Sequence, residues 1–223
     1  MGKMIAYSAV IPAFNTQAYI ADAILSIRAQ TVPPQEIIVV DDGSTDRTVE
    51  VVRSLGADIR IVRQENGGAG PATTAAIEAV TTGLIAGLDS DDIWLPHKME
   101  RQLQALQEMP EIAGCFARMR QFQHGADMDA DGPVADSWLR SSMVMRTEVA
   151  LGAGPIVGRI GELVDWLARI REQGHRLHLL PEVLALRRAR PGSLTYDRDA
   201  ACSSAYLLAA RKAILRRRET PAR

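Results

Sequence analysis

The most informative stretch of the sequence reads EIIVVDDGS and spans residues 36–44. Its four consecutive β-branched residues, 37–40, are typical of a strand that is buried on both faces of a parallel sheet. The acidic residues and the glycine that follow form a turn cluster, which ends the strand. Ser44 or Thr45 can cap the next helix, which we expect to extend to about Leu55. The stretch therefore predicts one β-strand followed directly by one α-helix.

The same alternation of strand and helix continues on both sides of this stretch. Apolar runs and helical spacing predict strands at 6–11, 59–62 and 84–88, and helices at 17–30, 69–81 and, opened by Pro96, 97–108. Strands that alternate with helices in this order form a parallel sheet with right-handed crossovers. The predicted fold class is therefore α/β with a mostly parallel central sheet.

The second half of the sequence gives weaker signals. We predict strands at 112–120, 140–146, 177–180 and 183–186, a loop at 121–137, and helices at 161–173 and 199–219. Neither an internal repeat nor a linker divides the sequence. We therefore expect a single domain that ends in a helical tail.

The composition is that of an ordinary globular domain, since the 223 residues are 47% hydrophobic and 24% charged. A net charge of −1 and an aromatic content of 4% argue against nucleic acid as a partner. The two cysteines form neither a disulfide framework nor a zinc cluster. We find no membrane span and no secretion signal, so we expect a soluble, cytoplasmic protein. Residues 211–223 hold six basic residues and one acidic residue, hence a charge of +5, which suits a solvated helix end or weak contact with the inner face of a membrane.

Polar side chains follow the four strands predicted in the first half. In open α/β sheets, ligands bind beyond the carboxyl ends of the strands. The segments at these positions are Pro12-Ala13-Phe14-Asn15, Asp41-Asp42-Gly43-Ser44, Asn66-Gly67-Gly68-Ala69-Gly70 and Asp89-Ser90-Asp91-Asp92. A single carboxylate at a strand end is often only a helix cap. Two acidic clusters at the same edge of one sheet indicate a ligand site instead.

The acidic cluster at 89–92 has the chemistry of a cation site. Carboxylates packed this closely raise one another's pKa and cost stability unless a cation is present. Hard oxygen ligands suit Mg²⁺ or Mn²⁺, and magnesium usually takes one or two carboxylates together with substrate phosphates. The sequence therefore predicts a phosphorylated ligand, with the backbone N–H groups of the glycine-rich loop 67–70 near its phosphate.

Four of these segments together resemble the inverting glycosyltransferases of family 2, which have the GT-A fold, a Rossmann-like nucleotide-diphospho-sugar transferase fold. They are VIPAFN at 10–15, VVDDGSTD at 39–46, NGG at 66–68 and LDSDDIWLP at 88–96. The resemblance continues more loosely through 161–166 and 187–193. It implies one GT-A domain over 1–198 followed by a basic tail at 199–223. Within the domain, 1–104 would bind the nucleotide sugar and 105–198 would form the acceptor side.

The resemblance also implies roles for particular residues on the donor side. Phe14 would stack on the nucleobase, and Asp42 or its neighbour Asp41 would accept a hydrogen bond from it. Asp91 would bind Mn²⁺ or Mg²⁺, and Asp89 would bind the ribose or the same metal. The implied donor-binding residues are Pro12, Ala13, Phe14, Asn15, Asp41, Asp42, Gly67, Gly68, Asp89, Ser90, Arg188 and Arg190.

A family member of this kind also needs a carboxylate that takes a proton from the acceptor hydroxyl. Asp165 is the first candidate, because similar sequences keep an Asp directly before a Trp. Glu162 lies three residues earlier on the same helix face and is the second candidate. We expect the ring of Trp166 to wall the acceptor pocket. The alternative for both acids is a structural role at the helix N-terminus, where the macrodipole favours negative charge.

Three positions depart from the family pattern. Leu163 replaces the second acid of a Glu-Asp pair, Thr73 replaces an arginine, and Arg190 replaces a histidine. Arg188 or Arg190 could bind diphosphate oxygens, or both could belong to a solvated basic loop. Residues 191–193 could form a loop that closes over the donor.

The first functional hypothesis is a metal-dependent, inverting transfer of a sugar from a nucleotide-diphosphate sugar, with a UDP-sugar preferred. The acceptor would be a saccharide, a lipid-linked or another hydroxyl compound, in cell-surface polysaccharide or glycoconjugate synthesis. The departures at Leu163 and Thr73 and the short length leave a noncatalytic nucleotide-sugar-binding module as an alternative. A sugar-phosphate nucleotidyltransferase is disfavoured, because the sequence has no N-terminal glycine-rich loop that ends in Arg and Lys.

Overall fold

The computed structural model describes residues 6–128, 131–158 and 161–190, together with the tail positions Leu207, Arg211, Ile214 and Arg216. The strands are β1 (Tyr7–Ala13), β2 (Glu36–Asp41), β3 (Ile59–Arg63), β4 (Leu84–Gly87), β5 (Ile93–Trp94), β6 (Ile112–Gln123), β7 (Val134–Ser137), β8 (Val144–Arg146) and β9 (Arg176–Ala189). The helices are α1 (Ile20–Arg28), α2 (Thr48–Ser54), α3 (Ala69–Ala79), α4 (Lys98–Glu108), α5 (Thr147–Gly152) and α6 (Glu162–Glu172). A 3₁₀ turn covers Arg140–Ser142.

All the strands join one mixed sheet in the order β3-β2-β1-β4-β8-β6-β9-β5, with β7 paired to β6. The first four strands are parallel, as the sequence predicted, and β1 lies between β2 and β4. This order brings the carboxyl ends of β1, β2 and β4 to the same edge of the sheet. The rest of the sheet contains antiparallel pairs that involve β8, β7 and β5, although β6 and β9 are again parallel. Most residue pairs in the described part of the sheet are parallel.

Helices cover both faces of the sheet and enclose two apolar layers. The first layer contains Ile24 of α1 and Met99 of α4, and the second contains Trp166 of α6. Successive residues of β1 contribute to opposite layers, because side chains alternate along a strand. Val10 lies in the second layer and Ile11 in the first. This burial on both faces explains why the predicted strands of the first half are continuous apolar runs.

The start of α2 differs from the prediction. Ser44 and Thr45 do not cap this helix, which begins at Thr48. The Ser44 hydroxyl instead accepts a hydrogen bond from the backbone N–H of Asn15 (3.0 Å), and the Thr45 N–H donates to the Asn15 side chain (2.9 Å). Asp46 accepts the Thr48 N–H at 2.9 Å and so satisfies the first donor of the helix. The predicted cap residues therefore tie the turn after β2 to the turn after β1.

The second half contains most of the corrections. The strand predicted at 140–146 is a 3₁₀ turn followed by β8, and the predicted loop at 121–137 contains the end of β6 and all of β7. The two late strands are one long strand, β9, in which Pro181 and Glu182 fall at a shift in register against β6. Proline is tolerated in a sheet at such irregularities, so the break in the sequence pattern did not mark a loop. The short elements β5 and α5 were not predicted.

The predicted terminal helix at 199–219 lies largely outside the described residues. Its four described positions are helical. The side chain of Arg216 contacts α6 through ion pairs with Asp165 and Glu172. Among the described residues, no helix is both long enough and apolar enough to cross a membrane.

Candidate active-site cleft

A cleft with a volume of about 1090 Å³ lies at the carboxyl ends of β1, β2 and β4. Residues from both halves of the chain form its walls. The first half contributes the ends of these strands and the start of α3, and the second half contributes β7, the 3₁₀ turn, α6 and the end of β9. The volume exceeds the roughly 300–1,000 Å³ of most small-molecule pockets. The cleft therefore has room for two ligands side by side.

Asp42 is held rigidly at the floor of the cleft by the loop that precedes α3. Its Oδ1 accepts hydrogen bonds from Gln64 Nε2 (2.7 Å) and Gly67 N (2.9 Å), and its Oδ2 accepts one from Gly68 N (2.8 Å). Gly68 has a positive φ of 94°, a conformation that favours glycine. The prediction that these loop amides face a phosphate is wrong for Gly67 and Gly68, because both amides are bound to Asp42.

The predicted donor-binding residues divide into two groups. Those in the cleft wall are Pro12, Ala13, Phe14, Asp42, Gly68, Asp89, Ser90, Arg188 and Arg190. Asn15, Asp41 and Gly67 do not belong to the wall. Asp41 is buried and accepts hydrogen bonds from Arg63 Nε (3.0 Å) and Ser44 N (3.1 Å), so it supports the turn after β2. Asn15, with a φ of 51°, joins the turns after β1 and β2.

Two side chains at the end of β1 face the cleft in ways that suit a ligand. Phe14 is 45% exposed, whereas Ala13 beside it is buried. An exposed ring next to a buried strand contributes little to the core. The hydroxyl of Thr16 is buried in the same wall and has no hydrogen-bond partner in the described structure. Since buried polar groups are normally paired, this hydroxyl is available to a ligand.

The acidic loop after β4 lies in the middle of the cleft, and arginines from distant segments neutralise it. Asp89 forms an ion pair with Arg140, and Asp91 accepts a hydrogen bond from Arg190 Nε at 2.7 Å. Burial, and next the charge of Asp89, raise the pKa of Asp91 despite the pairing with Arg190. The two predicted metal-binding carboxylates therefore both face the cleft, and each has an arginine beside it.

Asp92 has a different role from its neighbours, because it is buried. It accepts hydrogen bonds from Ser141 Oγ (2.6 Å) and from the backbone N–H of Arg188 (3.0 Å). Burial and the nearby Asp89 and Asp91 carboxylates raise the pKa of Asp92 well above its usual range. Asp92 thus fixes the acidic loop to the 3₁₀ turn and to β9.

Arg188 and Arg190, at the end of β9, differ in the contacts that hold their guanidinium groups. Arg188 is buried; its guanidinium donates to the Asp91 backbone carbonyl (2.9 Å) and to Asp22 (3.0 Å). Arg190 forms its ion pair with Asp91 and lies over the ring of Tyr19, at 4.7 Å from the ring centre. Arg190 is therefore the better placed of the two to contact a ligand. The loop predicted at 191–193 lies outside the described residues.

The two candidate base residues on α6 are in different environments. Glu162 lies in the cleft wall with its side chain 12% exposed, and accepts a hydrogen bond from Arg140 Nη2 at 3.1 Å. Asp165 is absent from the cleft wall formed by the described residues. It is paired with Arg216 (2.5 Å) and Arg169 (3.3 Å). Trp166 is fully buried in the core, so the prediction that its ring walls an acceptor pocket is wrong.

Asp165 lies away from the residues of α6 that line most of the cleft wall. Each residue turns about 100° around the helix axis, so residues three or four apart share a face. Val164, Leu167 and Arg171 share the face that lines the cleft. Asp165 shares another face with Glu172, and both bind Arg216. Glu162 is three residues before Asp165, so spacing alone does not separate these two acids. Glu162 lines the cleft from the first position of the helix, where Arg140 binds its carboxylate.

Arg140 is a functional residue that the sequence reasoning missed. Its side chain is 4% exposed and bridges Asp89 and Glu162. Burial alone lowers its pKa, but the charges of Asp89 and Glu162 raise it above its ordinary value. Gly87 provides space for the side chain, because a Cβ there would lie 2.5 Å from Cγ of Arg140.

Thr73, one of the departures from the family pattern, has a structural role. Thr73 stands where similar sequences carry an arginine; here it is buried, and its hydroxyl donates to the Ala69 carbonyl (2.6 Å). Positive charge beside the acidic loop comes from Arg140 of the 3₁₀ turn and from Arg190. Nothing in the segment around Arg140 marks it in the sequence, because its partners are 51 and 22 residues away.

The fold matches solved glycosyltransferase structures. A structure of residues 1–349 of TarS from S. aureus, in complex with UDP-GlcNAc, aligns with a TM-score of 0.76 and 17% identity over 95% of this chain and 66% of that one. Glucosyl-3-phosphoglycerate synthase from Mycobacterium tuberculosis aligns with a TM-score of 0.69 and 20% identity over 94% of this chain and 78% of that one. Identities this low establish the fold alone. The predicted α/β, GT-A fold is confirmed.

Sequence comparison gives the family. TuaG from Bacillus subtilis, a putative teichuronic acid biosynthesis glycosyltransferase, is 37% identical over 162 residues, which cover 71% of this chain and 61% of that protein. The uncharacterized glycosyltransferase alr2836 from Nostoc sp. is 39% identical over 104 residues, 45% of this chain and 32% of that protein. The chain thus spans less than two thirds of the length of these two relatives. The sequence profile of glycosyl transferase family 2 matches residues 8–149, which is more than half of the chain. The chain therefore belongs to glycosyl transferase family 2.

Proposed function

We propose that this chain transfers a sugar from a nucleotide-diphosphate sugar, preferably a UDP-sugar, to an acceptor hydroxyl, with inversion at the anomeric carbon. The observation that carries the proposal is the Arg140 bridge, which joins the acidic loop after β4 to Glu162 within one cleft. The structural neighbours support the donor class, since TarS was solved with UDP-GlcNAc and the mycobacterial synthase with Mn²⁺, UDP and phosphoglyceric acid.

The nucleotide would bind at the end of β1 and β2. The exposed ring of Phe14 offers a flat apolar surface for a base. Asp42 already accepts three hydrogen bonds from the protein. Since a carboxylate has about four acceptor positions, one remains for an N–H of the base. The unpaired hydroxyl of Thr16 adds a donor or an acceptor in the same wall.

The residues of the acidic loop fit a divalent cation. Asp89 and Asp91 both present carboxylate oxygens to the cleft, and these are the ligands that Mg²⁺ and Mn²⁺ prefer. Among the described residues, no group of three His, Cys, Asp or Glu side chains could hold a metal. That agrees with an ion that completes its coordination with substrate phosphates. When bound, the ion supplies positive charge to the leaving diphosphate.

Glu162 is our choice of general base, because it faces the cleft and Asp165 does not. Its carboxylate would take the proton of the acceptor hydroxyl as that oxygen forms a bond with the anomeric carbon. The bond from this carbon to the diphosphate oxygen breaks at the same time, and the nucleoside diphosphate leaves with the electron pair. Arg140 keeps Glu162 oriented through the 3.1 Å contact.

The experiment is Glu162→Gln, assayed for sugar transfer with a panel of UDP-sugars and Mn²⁺, and separately for UDP affinity. We expect turnover to fall by roughly 10²–10⁴-fold, with UDP affinity nearly unchanged, because the base contacts the acceptor. Glu172→Gln is the matched control, since it makes the same change on the same helix outside the cleft. Chelation should abolish turnover and Mn²⁺ should restore it.

Three results would contradict the proposal. Full activity in Glu162→Gln would place the base elsewhere. Tight UDP-sugar binding without turnover by the wild type, over a broad acceptor panel, would favour the noncatalytic binding module. Release of pyrophosphate from a nucleoside triphosphate would favour the nucleotidyltransferase.

The cellular setting follows from the same proposal. TuaG is named for teichuronic acid biosynthesis, and we extend this to synthesis of a cell-surface polysaccharide or glycoconjugate by the present chain. A saccharide or lipid-linked acceptor would then be used in the cytoplasm. The basic tail would contact the inner face of the membrane through its +5 charge.

A further inference from the structure

The wall that the second half of the chain contributes to the cleft contains a stacked pair of side chains, Arg171 and Trp138. The guanidinium of Arg171, on α6, lies over the ring of Trp138 with its Cζ atom 4.5 Å from the ring centre. Trp138 packs in turn against Phe116, with 4.9 Å between ring centres. Phe116 is buried in the sheet on β6. The arginine is therefore held at a fixed place by a stack that is anchored in the core.

The charge of Arg171 is not balanced by a carboxylate. Arg140, Arg188 and Arg190 all form ion pairs with acids in or near the cleft. Within the part of the chain that the structure describes, Arg171 forms no such pair. Asp136, the acid of the same wall, is bound to Arg118 at 2.9 Å.

Arg171 is exposed at a part of the cleft wall that also contains apolar residues. Val164, Leu167 and Pro133 line the same wall and are apolar. Desolvation against this wall lowers the pKa of Arg171, and no neighbouring acid offsets the effect. Arg171 is exposed, so its guanidinium is accessible to a ligand in the cleft, and no carboxylate among the described residues has to be displaced first. Its planar fork can also hold a phosphate or a carboxylate through two parallel hydrogen bonds.

We propose that Arg171, held in place by Trp138, binds an anionic group of the acceptor. The acceptor class is then a phosphate-bearing or carboxylate-bearing chain instead of a neutral saccharide. This inference rests on the proposed function, because it gives a chemical class to the second substrate of the same cleft.

The position of Arg171 on α6 says where on the acceptor this group lies. Glu162 and Arg171 are nine residues apart, so their Cα atoms are about 13 Å apart along the helix axis. The anion therefore belongs to a part of the acceptor remote from the reacting hydroxyl. An extended acceptor fits this separation, and a single small sugar acid does not.

The test compares three probes of similar length: a glycerol phosphate oligomer, trigalacturonic acid and the neutral maltotriose. Their binding to the full chain is measured by calorimetry in the presence of UDP and Mn²⁺. We expect the wild type to bind at least one anionic probe roughly tenfold or more tightly than maltotriose, and Arg171→Gln to remove that preference. Arg171→Lys should keep part of it, because the charge remains and the fork is lost. The tighter of the two anionic probes identifies the phosphate or the carboxylate as the group that is recognised.

Arg53→Gln is the matched control, since Arg53 is an exposed arginine on α2 outside the cleft. Equal binding of maltotriose and the anionic probes, or an unchanged preference in Arg171→Gln, would overturn the inference. UDP affinity and UDP-sugar hydrolysis separate this outcome from a failure of the proposed function. If both are intact while no anion preference exists, only the inference is wrong. If both are absent while the preference persists, the anion site stands and the proposed function fails.

Discussion

Two sets of charged groups in the cleft are held in different ways. On the donor side, Asp42 is bound by the backbone amides of Gly67 and Gly68, from the loop after the neighbouring strand β3. Across the middle of the cleft, the long side chain of Arg140 bridges Asp89 and Glu162 from a third segment. Backbone donors follow from the fold, whereas a buried arginine depends on every segment that packs around it. Asp42 is thus fixed by the loop after the neighbouring strand, and the bridge from Asp89 to Glu162 by tertiary packing.

This difference is visible in sequence comparison as well. The profile of glycosyl transferase family 2 ends at residue 149. It therefore includes the strand ends of the first half and the 3₁₀ turn, but not α6. Glu162 and Arg171 both belong to α6. The family is accordingly recognised from the donor side, and the residues proposed to act on the acceptor lie beyond the match.

We expect the largest effect on stability from Arg140→Gln, which removes the buried bridge between Asp89 and Glu162. The change leaves Asp89 and Glu162 without their buried counter-charge, so we expect the free energy of unfolding to fall by about 3–5 kcal/mol. Urea unfolding measures the effect. Arg118→Gln is the control, because it removes an exposed ion pair with Asp136 and should cost no more than about 1 kcal/mol. Similar losses in the two variants would show that the bridge is not important for packing.

A second buried cation, Lys98, tests whether charge inside this structure always stabilises it. Lys98 is fully buried; its amine contacts the Met143 carbonyl (3.3 Å) and lies 4.1 Å from the centre of the Trp94 ring. Burial lowers the pKa of Lys98 to about 7. Unlike Arg140, it forms no ion pair with a carboxylate in the described part of the chain. We therefore expect Lys98→Met to raise the free energy of unfolding by roughly 1–4 kcal/mol at pH 7.

The lowered pKa of Lys98 also predicts how the free energy of unfolding changes with pH. Between pH 7 and about pH 10.4, the unfolded chain binds a proton on Lys98 that the folded chain has lost. The wild type should therefore become more stable as pH rises through this window, by up to about 1.4 kcal/mol per pH unit from this group. Lys98→Met should lack that contribution, so its advantage should shrink toward pH 10. A constant difference between the two proteins would mean that Lys98 does not titrate in this range.

The donor side can be tested through Phe14. Phe14→Ala should weaken UDP binding by about 1–3 kcal/mol if the ring stacks on the base, by analogy with base–aromatic stacking. Its effect on unfolding should be small, because the side chain is 45% exposed. Leu25→Ala removes another exposed apolar side chain, on α1 outside the cleft, and should leave UDP affinity unchanged. A loss of stability with intact UDP affinity would make Phe14 a core residue.

The donor side could be predicted because its geometry is local. Parallel strands that end in a polar turn must present that turn at one edge of the sheet, so Phe14, Asp42 and Asp89 were found from strand ends alone. Arg140 could not be found this way, because no periodicity or turn signal relates it to Asp89. The sequence also predicted a break between two strands at Pro181. In the sequence alone, a register shift inside one long strand gives the same pattern as a loop between two strands.

The sequence was also not enough to choose between Asp165 and Glu162, although both lie on the same helix. Asp165 came first in the sequence reasoning because it precedes a Trp, but Trp166 belongs to the core. Glu162 and Asp165 are three residues apart and share a helix face, so the sequence pattern could not say which of the two lines the cleft. In the structure, Asp165 faces Arg216 of the tail.

The smallest expected effect is that of Asp165→Asn, which distinguishes the two faces of α6. Asp165 lies outside the cleft wall and its ion pairs are partly exposed, so the change should lower the free energy of unfolding by no more than about 1 kcal/mol. Turnover and UDP affinity should stay near the wild-type values, in contrast to the large loss of turnover in Glu162→Gln. If Asp165→Asn instead abolishes turnover with UDP affinity intact, the base is Asp165, and the Arg216 side chain must leave it before the acceptor can bind. The tail would then control access to the acceptor side, and the helix face that now appears structural would be the catalytic one.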